Sequence, residues 1–167
     1  MTLKEAMAEL ESLGSEKMRK QNTKNGVTGP QFGVMMGDIR KVAAKIKIDP
    51  ELAAELWKTG NVDARFLAVL ILKPKQMTPE EIEAMVRSVD YAWLADWVNS
   101  YLVKQHPNAE EWREKWMNDP NPWVARAGWS LTSDRIAKNA DGLDLAKILD
   151  RLEKEMPNAP EATKWTM

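Results

Sequence analysis

The chain has 167 residues, of which 44% are hydrophobic, and its formal net charge is −1. This length is enough for one compact domain or a short repeat array with a sizeable core. Because the chain has no cysteine, it cannot have a disulfide framework, a cysteine-ligated zinc site or a cysteine nucleophile. With no long apolar run at the N-terminus or elsewhere, the sequence predicts a cytoplasmic protein without a membrane partner, and we expect a monomer.

Three helices are predicted in the first part of the chain, at residues 3–13, 15–24 and 37–48. The second and third are separated by a glycine-rich connector, residues 25–33, where three glycines in nine residues indicate turns with positive φ. A phosphate-binding loop is the functional alternative for this connector. The Walker spacing and its Lys-Ser/Thr ending are missing, so the connector is interpreted as structural.

Helix-start signals then recur about every thirty residues, as capping side chains followed by proline or acids at 49–51, 78–81, 108–111 and, less clearly, 141–144. The first three are followed twelve or thirteen residues later by second starts at Asn61, Asp90 and Asn121. The resulting helix pairs are predicted at 50–59 and 62–72, 79–88 and 91–104, 109–118 and 122–138, and 143–156 with a partner from about 160. Repeated hairpins predict an all-α fold, a short α-solenoid forming one domain over residues 1–167. Because the last helix is too short to cover the preceding layer, we expect the array to continue beyond the sequence given.

Basic residues are concentrated near the N-terminus, with eight basic and only two acidic residues between positions 15 and 47. Such a stripe can attract phosphates even in a neutral protein, although ordinary solvated lysines give the same pattern. Eight tryptophans are unusual beside two tyrosines and two phenylalanines. Most are expected to fill the core, as Trp57, Trp112 and Trp116 would, while those on the second helices of the pairs are candidates for function.

Two charged residues lie among apolar neighbours on successive second helices, Asp96 in the second pair and Arg126 in the third. They are expected to face each other across one layer. One interpretation is a structural salt bridge that braces two repeats, and the other is a carboxylate and a cation lining the concave face beside exposed indoles. His106, the only histidine, is expected to cap carbonyl groups at a helix end. No metal site and no cofactor are predicted.

At these residues the sequence resembles the DNA alkylation repair glycosylases of the AlkD type, which are built from HEAT-like helical repeats. The resemblance spans most of residues 25–165. It is carried by FGVMMGDIRK at 32–41, by LWKTG at 56–60 with ARFLA at 64–68, and by WVARA at 123–127, which matches a family signature. The resemblance implies a right-handed array of HEAT-like hairpins and excision of cationic N3- or N7-alkylated purines from double-stranded DNA.

The resemblance also implies a catalytic group of Trp, Asp and Arg on the concave face. Asp96 and Arg126 match two of these positions, but the family's Trp lies four residues before its Asp, where this chain has Ala92. Trp93 is therefore the third catalytic candidate, shifted by one residue and hence by about 100° around the helix. In such a site the carboxylate would stabilise an oxocarbenium-like sugar, and Arg126 would hold a flanking phosphate bidentately.

For DNA binding, the candidates are the indole of Trp123 on the same concave face and three residues of the basic stripe, Arg40, Lys41 and Lys45. Two alternatives to a glycosylase stay open from sequence alone. One is a non-catalytic relative that binds unusual DNA structures, and the other is a scaffold whose concave face binds a protein.

Overall fold

The protein consists of α-helices without a β-strand, and the computed structural model describes all residues from Met1 to Met167. The helices are α1 Leu3–Leu13, α2 Glu16–Lys24, α3 Met36–Ile46, α4 Pro50–Lys58, α5 Val62–Leu70, α6 Pro79–Ser88, α7 Ala92–Tyr101, α8 Ala109–Trp116, α9 Pro122–Lys138, α10 Leu145–Glu155 and α11 Glu161–Lys164. Three short 3₁₀ turns, Pro74–Gln76, Val103–Gln105 and Met156–Asn158, lie between some of them. None of the helices has the length and apolar character needed to cross a membrane.

Side-chain caps start most helices where the sequence predicts them. Thr2 and Thr78 each form a capping box with the glutamate three residues later. Asn61 and Asn121 each accept two backbone N–H groups at the starts of α5 and α9. Because these caps satisfy N–H groups that have no partner within the helix, they fix the beginnings of the second helices of the first and third pairs.

Three of the predicted starts are used differently. Asn108 occupies the N-cap of α8, but its side-chain amide donates to Glu111 instead of capping the helix. Helix α7 has Tyr91 rather than Asp90 at its N-cap, without a side-chain hydrogen bond. Helix α10 is capped by Asp144, the last residue of the predicted start signal.

Several helices end earlier than predicted, among them α5 at Leu70 and α8 at Trp116, each two residues short of its predicted end. The helix expected at 37–48 ends at Ile46 because Lys47 adopts a φ of 69°, which right-handed helical geometry does not allow. The helix expected at 91–104 ends at Tyr101, after which the chain tightens into the second 3₁₀ turn. Such turns are common at helix ends and leave no separate sequence signal.

The helices pack in two layers. Helices α3, α5, α7 and α9 lie side by side in an inner layer, and α11 packs against α9. Helices α4, α6 and α8 form the outer layer, and α1 packs against α3, α4 and α5. This arrangement confirms the predicted α-solenoid of HEAT-like hairpins, in which the inner layer supplies the concave face.

One continuous core joins the two layers. Seven of the nine residues of α5 are buried, as its nearly uninterrupted apolar sequence predicts. Trp112 and Trp116 are also buried. The Trp112 ring stacks on the His106 ring, with the centroids 4.8 Å apart, and on the Trp116 ring, with the centroids 4.7 Å apart. His106 Nε2 lies 3.2 Å from the carbonyl oxygen of Met77, in agreement with the expected carbonyl contact.

The glycine-rich connector is anchored by Asp63 at the start of α5. Its buried carboxylate accepts backbone N–H groups from Phe32 at 2.6 Å and from Gly33 and Val34 at 3.0 Å. Gly33 has a φ of 77°, and a Cβ there would lie 2.5 Å from the carbonyl oxygen of Ser15. These three N–H groups are already used within the protein, so the connector serves to place α3 beside α5.

Candidate functional site

Asp96 and Arg126 meet across the inner layer. Each stands five residues after the N-cap of its helix, on α7 and α9 respectively, so the two side chains lie at similar heights in neighbouring helices. Arg126 Nε donates to Asp96 Oδ1 at 2.9 Å, and Arg126 Nη2 donates to Asp96 Oδ2 at 3.0 Å. This bidentate geometry is the strongest arrangement available to the two groups.

The two partners differ in their access to solvent. The Asp96 side chain is 48% exposed, whereas that of Arg126 is only 9% exposed. Arg126 Nη1 also donates to the carbonyl oxygen of Ala162 in α11 at 2.7 Å. The planar edge that would clamp a phosphate is therefore occupied by Asp96, and the geometry favours a role for Arg126 in orienting that carboxylate. The pair therefore combines a salt bridge that braces two helices with a carboxylate that is about half exposed to solvent.

A small cavity of about 10 Å³ lies beside this pair, lined in part by Asp96, Arg126, Trp123 and Asn99. Asn99 is buried, and its Nδ2 donates to Ser130 Oγ at 2.7 Å. Its Oδ1 is enclosed and has no hydrogen-bond partner within the protein. A cavity of this size with a free acceptor has room for about one water molecule.

Trp93, the shifted catalytic candidate, is 41% exposed. Its ring meets that of Phe66 edge-on, with the centroids 6.1 Å apart. The position one turn before Asp96 on the same face is occupied by the half-buried Ala92. The structure thus has a methyl group where the family pattern has an indole, and it places the Trp93 ring against an aromatic cluster next to that position.

That cluster continues along α7 as an aromatic stripe, which we define as Trp93, Trp97 and Tyr101. The three residues are spaced four apart and so share one helix face. Trp97 packs against Phe66 at 5.1 Å and against Tyr101 at 4.9 Å between ring centroids. Trp97 is buried, but Tyr101 at the other end of the stripe is 37% exposed.

Arg40 reaches from α3 to this stripe. Its guanidinium carbon lies 4.9 Å from the centroid of the Trp97 ring, and Nη2 donates to Tyr101 Oη at 3.3 Å. Arg40 forms no salt bridge with a carboxylate, although its side chain is exposed. Of the predicted DNA-binding cations, it is the one that the fold brings to the aromatic residues of α7.

The other two cations of α3 are placed differently. Lys41 is 78% exposed and pairs with Asp38 one turn away on its own helix at 2.8 Å. Lys45 Nζ lies 2.6 Å from Glu9 Oε1, so this lysine faces α1 rather than α7. The fourth candidate, Trp123, is half-buried in the first turn of α9 beside the cavity. The predicted DNA-binding residues therefore do not form one surface.

Sequence reasoning included Trp97 only as one of the tryptophans on the second helices, and it missed Tyr101 and Asn99 as members of this region. A signal for Trp97 and Tyr101 was present, since Trp93, Trp97 and Tyr101 recur at helical spacing. Asn99 gave no such signal, because its importance depends on a cavity formed by two helices that are distant in sequence. The structure contains no group of three or more His, Asp or Glu side chains placed to hold a metal ion.

Two uncharacterized bacterial proteins show detectable similarity to this chain. The protein of Listeria innocua is 23% identical over 139 residues and that of Listeria monocytogenes is 22% identical over 139 residues. Each alignment covers 81% of this chain and 61% of the relative, so the chain spans about 61% of the length of these curated relatives.

A solved structure is similar in sequence and fold. It represents "a new family of proteins related to the HEAT-like repeat DNA glycosylases with affinity for branched DNA structures". The TM-score is 0.85 at 32% sequence identity, and the match covers 99% of this chain and 72% of the other. The family of DNA alkylation repair enzymes matches residues 6–167, nearly the whole chain. The protein therefore belongs to the DNA alkylation repair enzyme family.

Proposed function

We propose that the protein binds DNA on the concave face of its inner layer and that branched DNA is a preferred ligand. The observation that carries the proposal is the combination of exposed aromatic and cationic groups on this face, namely Trp93, Tyr101 and Arg40. Cations bind the phosphate backbone, and aromatic rings stack on bases. The branched-DNA affinity described for the solved relative supports the same ligand class.

Two matched double variants test this proposal. Arg40→Glu with Lys41→Glu reverses two charges on α3, whereas Lys115→Glu with Lys154→Glu reverses two exposed charges on α8 and α10 outside the inner layer. Fluorescence anisotropy with labelled duplex and four-way-junction DNA is measured over a range of salt concentrations.

The α3 variant is expected to lower affinity for both DNAs by about tenfold and to reduce the salt slope by about two, because two phosphate contacts are lost. The variant on α8 and α10 is expected to bind like wild type. Equal losses in the two variants would show that only net charge matters and would contradict a binding site on the inner face.

Base excision is the second candidate function, and the half-exposed carboxylate of Asp96 favours it. An N3- or N7-alkylated purine carries positive charge, so its glycosidic bond is weak and the sugar becomes cationic as the bond breaks. A carboxylate held in a fixed orientation stabilises such a sugar electrostatically and positions a water molecule. Arg126 supplies the fixed orientation while leaving about half of the Asp96 side chain accessible.

Excision is tested by release of free base from DNA that contains N7-methylguanine. Asp96→Asn is expected to slow release by roughly two to three orders of magnitude, whereas Asp90→Asn, the same change at an exposed acid before α7, leaves the rate unchanged. Ala92→Trp restores the family pattern and is expected to raise the rate. If wild type and Ala92→Trp both release no base while still binding DNA, the protein is a binder without glycosylase activity.

A further inference from the structure

The aromatic stripe on α7 has more exposed ring surface than packing requires. Trp93 and Tyr101, at its two ends, are 41% and 37% exposed, although the core of the protein buries Trp112 and Trp116 almost completely. Between them, the Trp97 ring is packed from the side by Phe66 and covered on one face by the Arg40 guanidinium. Three rings thus share one face of a helix of the inner layer, and the two at its ends are exposed to solvent.

The one-residue shift of the tryptophan produces this stripe. An indole at Ala92, the family's position, would lie one turn before Asp96, whereas Trp93 is in register with Trp97 and Tyr101. The shift therefore moves the aromatic group by about 100° around the helix, from the position four residues before the carboxylate to the helix face of Trp97 and Tyr101. The departure from the family pattern therefore has a structural consequence, which is a third ring on this face of α7.

The spacing of the rings indicates what they would contact. Residues four apart on a helix are separated by about 6 Å along its axis. Successive base pairs in duplex DNA are about 3.4 Å apart and bury their faces against each other. The Trp97 and Tyr101 ring centroids lie 4.9 Å apart, which is wider than the base-pair spacing, so these rings match bases that are unpaired and spread apart, and every such base has a free face for stacking.

We propose that the aromatic stripe stacks unpaired DNA bases exposed at a fork, gap or junction. Arg40 then moves from the Trp97 ring to the phosphate beside the stacked base, which uncovers the middle ring of the stripe. Arg40 suits this movement because no carboxylate holds it and its contacts with Trp97 and Tyr101 are individually weak. The inference rests on the proposed DNA binding and gives its structural basis for branched over fully paired DNA.

The test compares a forked DNA with unpaired arms and a fully paired duplex of the same length, by fluorescence anisotropy. The variants are Trp93→Leu and Tyr101→Leu, and their conservative partners are Trp93→Phe and Tyr101→Phe, which keep a ring. Trp57→Leu is the matched control, because Trp57 is a half-buried indole on α4 that also carries an arginine, Arg65, over its ring at 5.1 Å. Melting temperatures of all variants establish that they are folded.

Wild type is expected to bind the fork more tightly than the duplex. Each leucine variant is expected to lose roughly fivefold or more in affinity for the fork and to lose much less for the duplex, while the phenylalanine variants keep most of the preference. Trp57→Leu is expected to keep the wild-type ratio of the two affinities. If the leucine variants weaken fork and duplex binding by the same factor, the stripe does not select unpaired bases and the inference is wrong.

A second measurement does not depend on variants. A 2-aminopurine placed among the unpaired bases of the fork is expected to lose fluorescence on binding wild type, because stacking on an aromatic ring quenches it. An unchanged signal with saturating protein would overturn the stacking inference while leaving DNA binding intact. Failure of wild type to bind either DNA would instead contradict the proposed function itself, and the stripe inference with it.

Discussion

Arg126 joins the three helices α7, α9 and α11 through one guanidinium group. It donates to the carboxylate of Asp96 in α7 and to the carbonyl of Ala162 in α11, while its own backbone lies in α9. A buried arginine with these partners is satisfied, so it can hold the exposed carboxylate in a single orientation. The asymmetry of exposure within the pair leaves the braced carboxylate accessible to solvent.

A second ion pair links repeats at the outer edge of the array and predicts acid sensitivity. Arg87 of α6 donates to Asp119 at 2.6 Å and 3.1 Å, and the same carboxylate accepts the N–H of Asn121. Hydrogen bonds from Arg87 hold the pKa of Asp119 below its ordinary value of 3.8. Ionised Asp119 therefore stabilises the folded state fully above about pH 4, and this contribution is lost as the pH falls through the lowered native pKa.

Asp119→Asn is accordingly expected to lower the free energy of unfolding by about 1–2 kcal/mol at pH 7. The difference from wild type is expected to shrink below about pH 4, where wild type also loses the charge. Urea unfolding at pH 7, 5 and 3 measures both effects. Asp150→Asn, which removes an exposed partner of Lys154 within α10, is the control and should change stability little at any pH. A constant difference between wild type and Asp119→Asn across this range would contradict the assignment.

Contact between α8 and α9 depends on a glycine within a helix. A Cβ on Gly128 would lie 2.4 Å from the Met117 backbone nitrogen and 2.6 Å from the Trp116 carbonyl carbon. Glycine inside a helix normally costs about 1 kcal/mol relative to alanine. At Gly128 the effect of glycine on stability has the opposite sign. The two backbones approach closely, and the backbone of α8 cannot move aside without disturbing the packing of Trp116.

Gly128→Ala is therefore expected to destabilise the protein by about 1–3 kcal/mol. Gly37→Ala in α3 makes the same substitution where no atom beyond the neighbouring residues and backbone of its own helix lies within 4 Å of the added Cβ, and it is expected to stabilise by about 0.5–1 kcal/mol. Melting temperatures should move in opposite directions for the two variants. A raised melting temperature for Gly128→Ala would mean that α8 and α9 are farther apart than described.

Local signals predicted most of the helices because caps and prolines act within a few residues of a helix start. They failed at α7, where the predicted capping residue has a tertiary partner. Asp90 has a suitable side chain to cap α7, but it lies 3.6 Å from Arg65 of α5, and Tyr91 takes the N-cap position. Whether Asp90 caps α7 or pairs with Arg65 depends on the position of α5, which lies about twenty-five residues earlier in the chain. Patterns within a single sequence do not contain that information.

The candidate site could be predicted only in part, because its residues come together through the packing of the whole molecule. Equal spacing predicted that Asp96 and Arg126 would face each other, because a solenoid repeats both height and direction. In the folded protein the residues of the basic stripe do not form one cationic surface, since Lys20, Lys41 and Lys45 each form a salt bridge with a glutamate or aspartate. Counting charges along the chain cannot show which of them remain free after tertiary packing.

Burial is uneven along the array, which predicts uneven local stability. None of the eleven residues of α10 is buried, in contrast to seven of nine in α5. Arg151 provides tertiary contacts for α10, since its guanidinium lies 5.2 Å from the Trp129 ring and Nη2 lies 3.4 Å from the Met117 carbonyl oxygen. Amides of α5 are expected to exchange hydrogen only by global unfolding and those of α10 by local opening.

Arg151→Ala is expected to speed hydrogen exchange in α10 by about three- to tenfold, because it removes a cation–π contact and a tertiary hydrogen bond. Exchange in α5 and the main melting transition should stay unchanged. Lys154→Ala is the matched control, since Lys154 lies on the same helix and pairs only with Asp150 of that helix. Hydrogen exchange followed by mass spectrometry of peptides resolves the two helices. If Arg151→Ala speeds exchange in α5 as much as in α10, the last hairpin unfolds together with the central repeats, and stability in this solenoid is shared along its whole length.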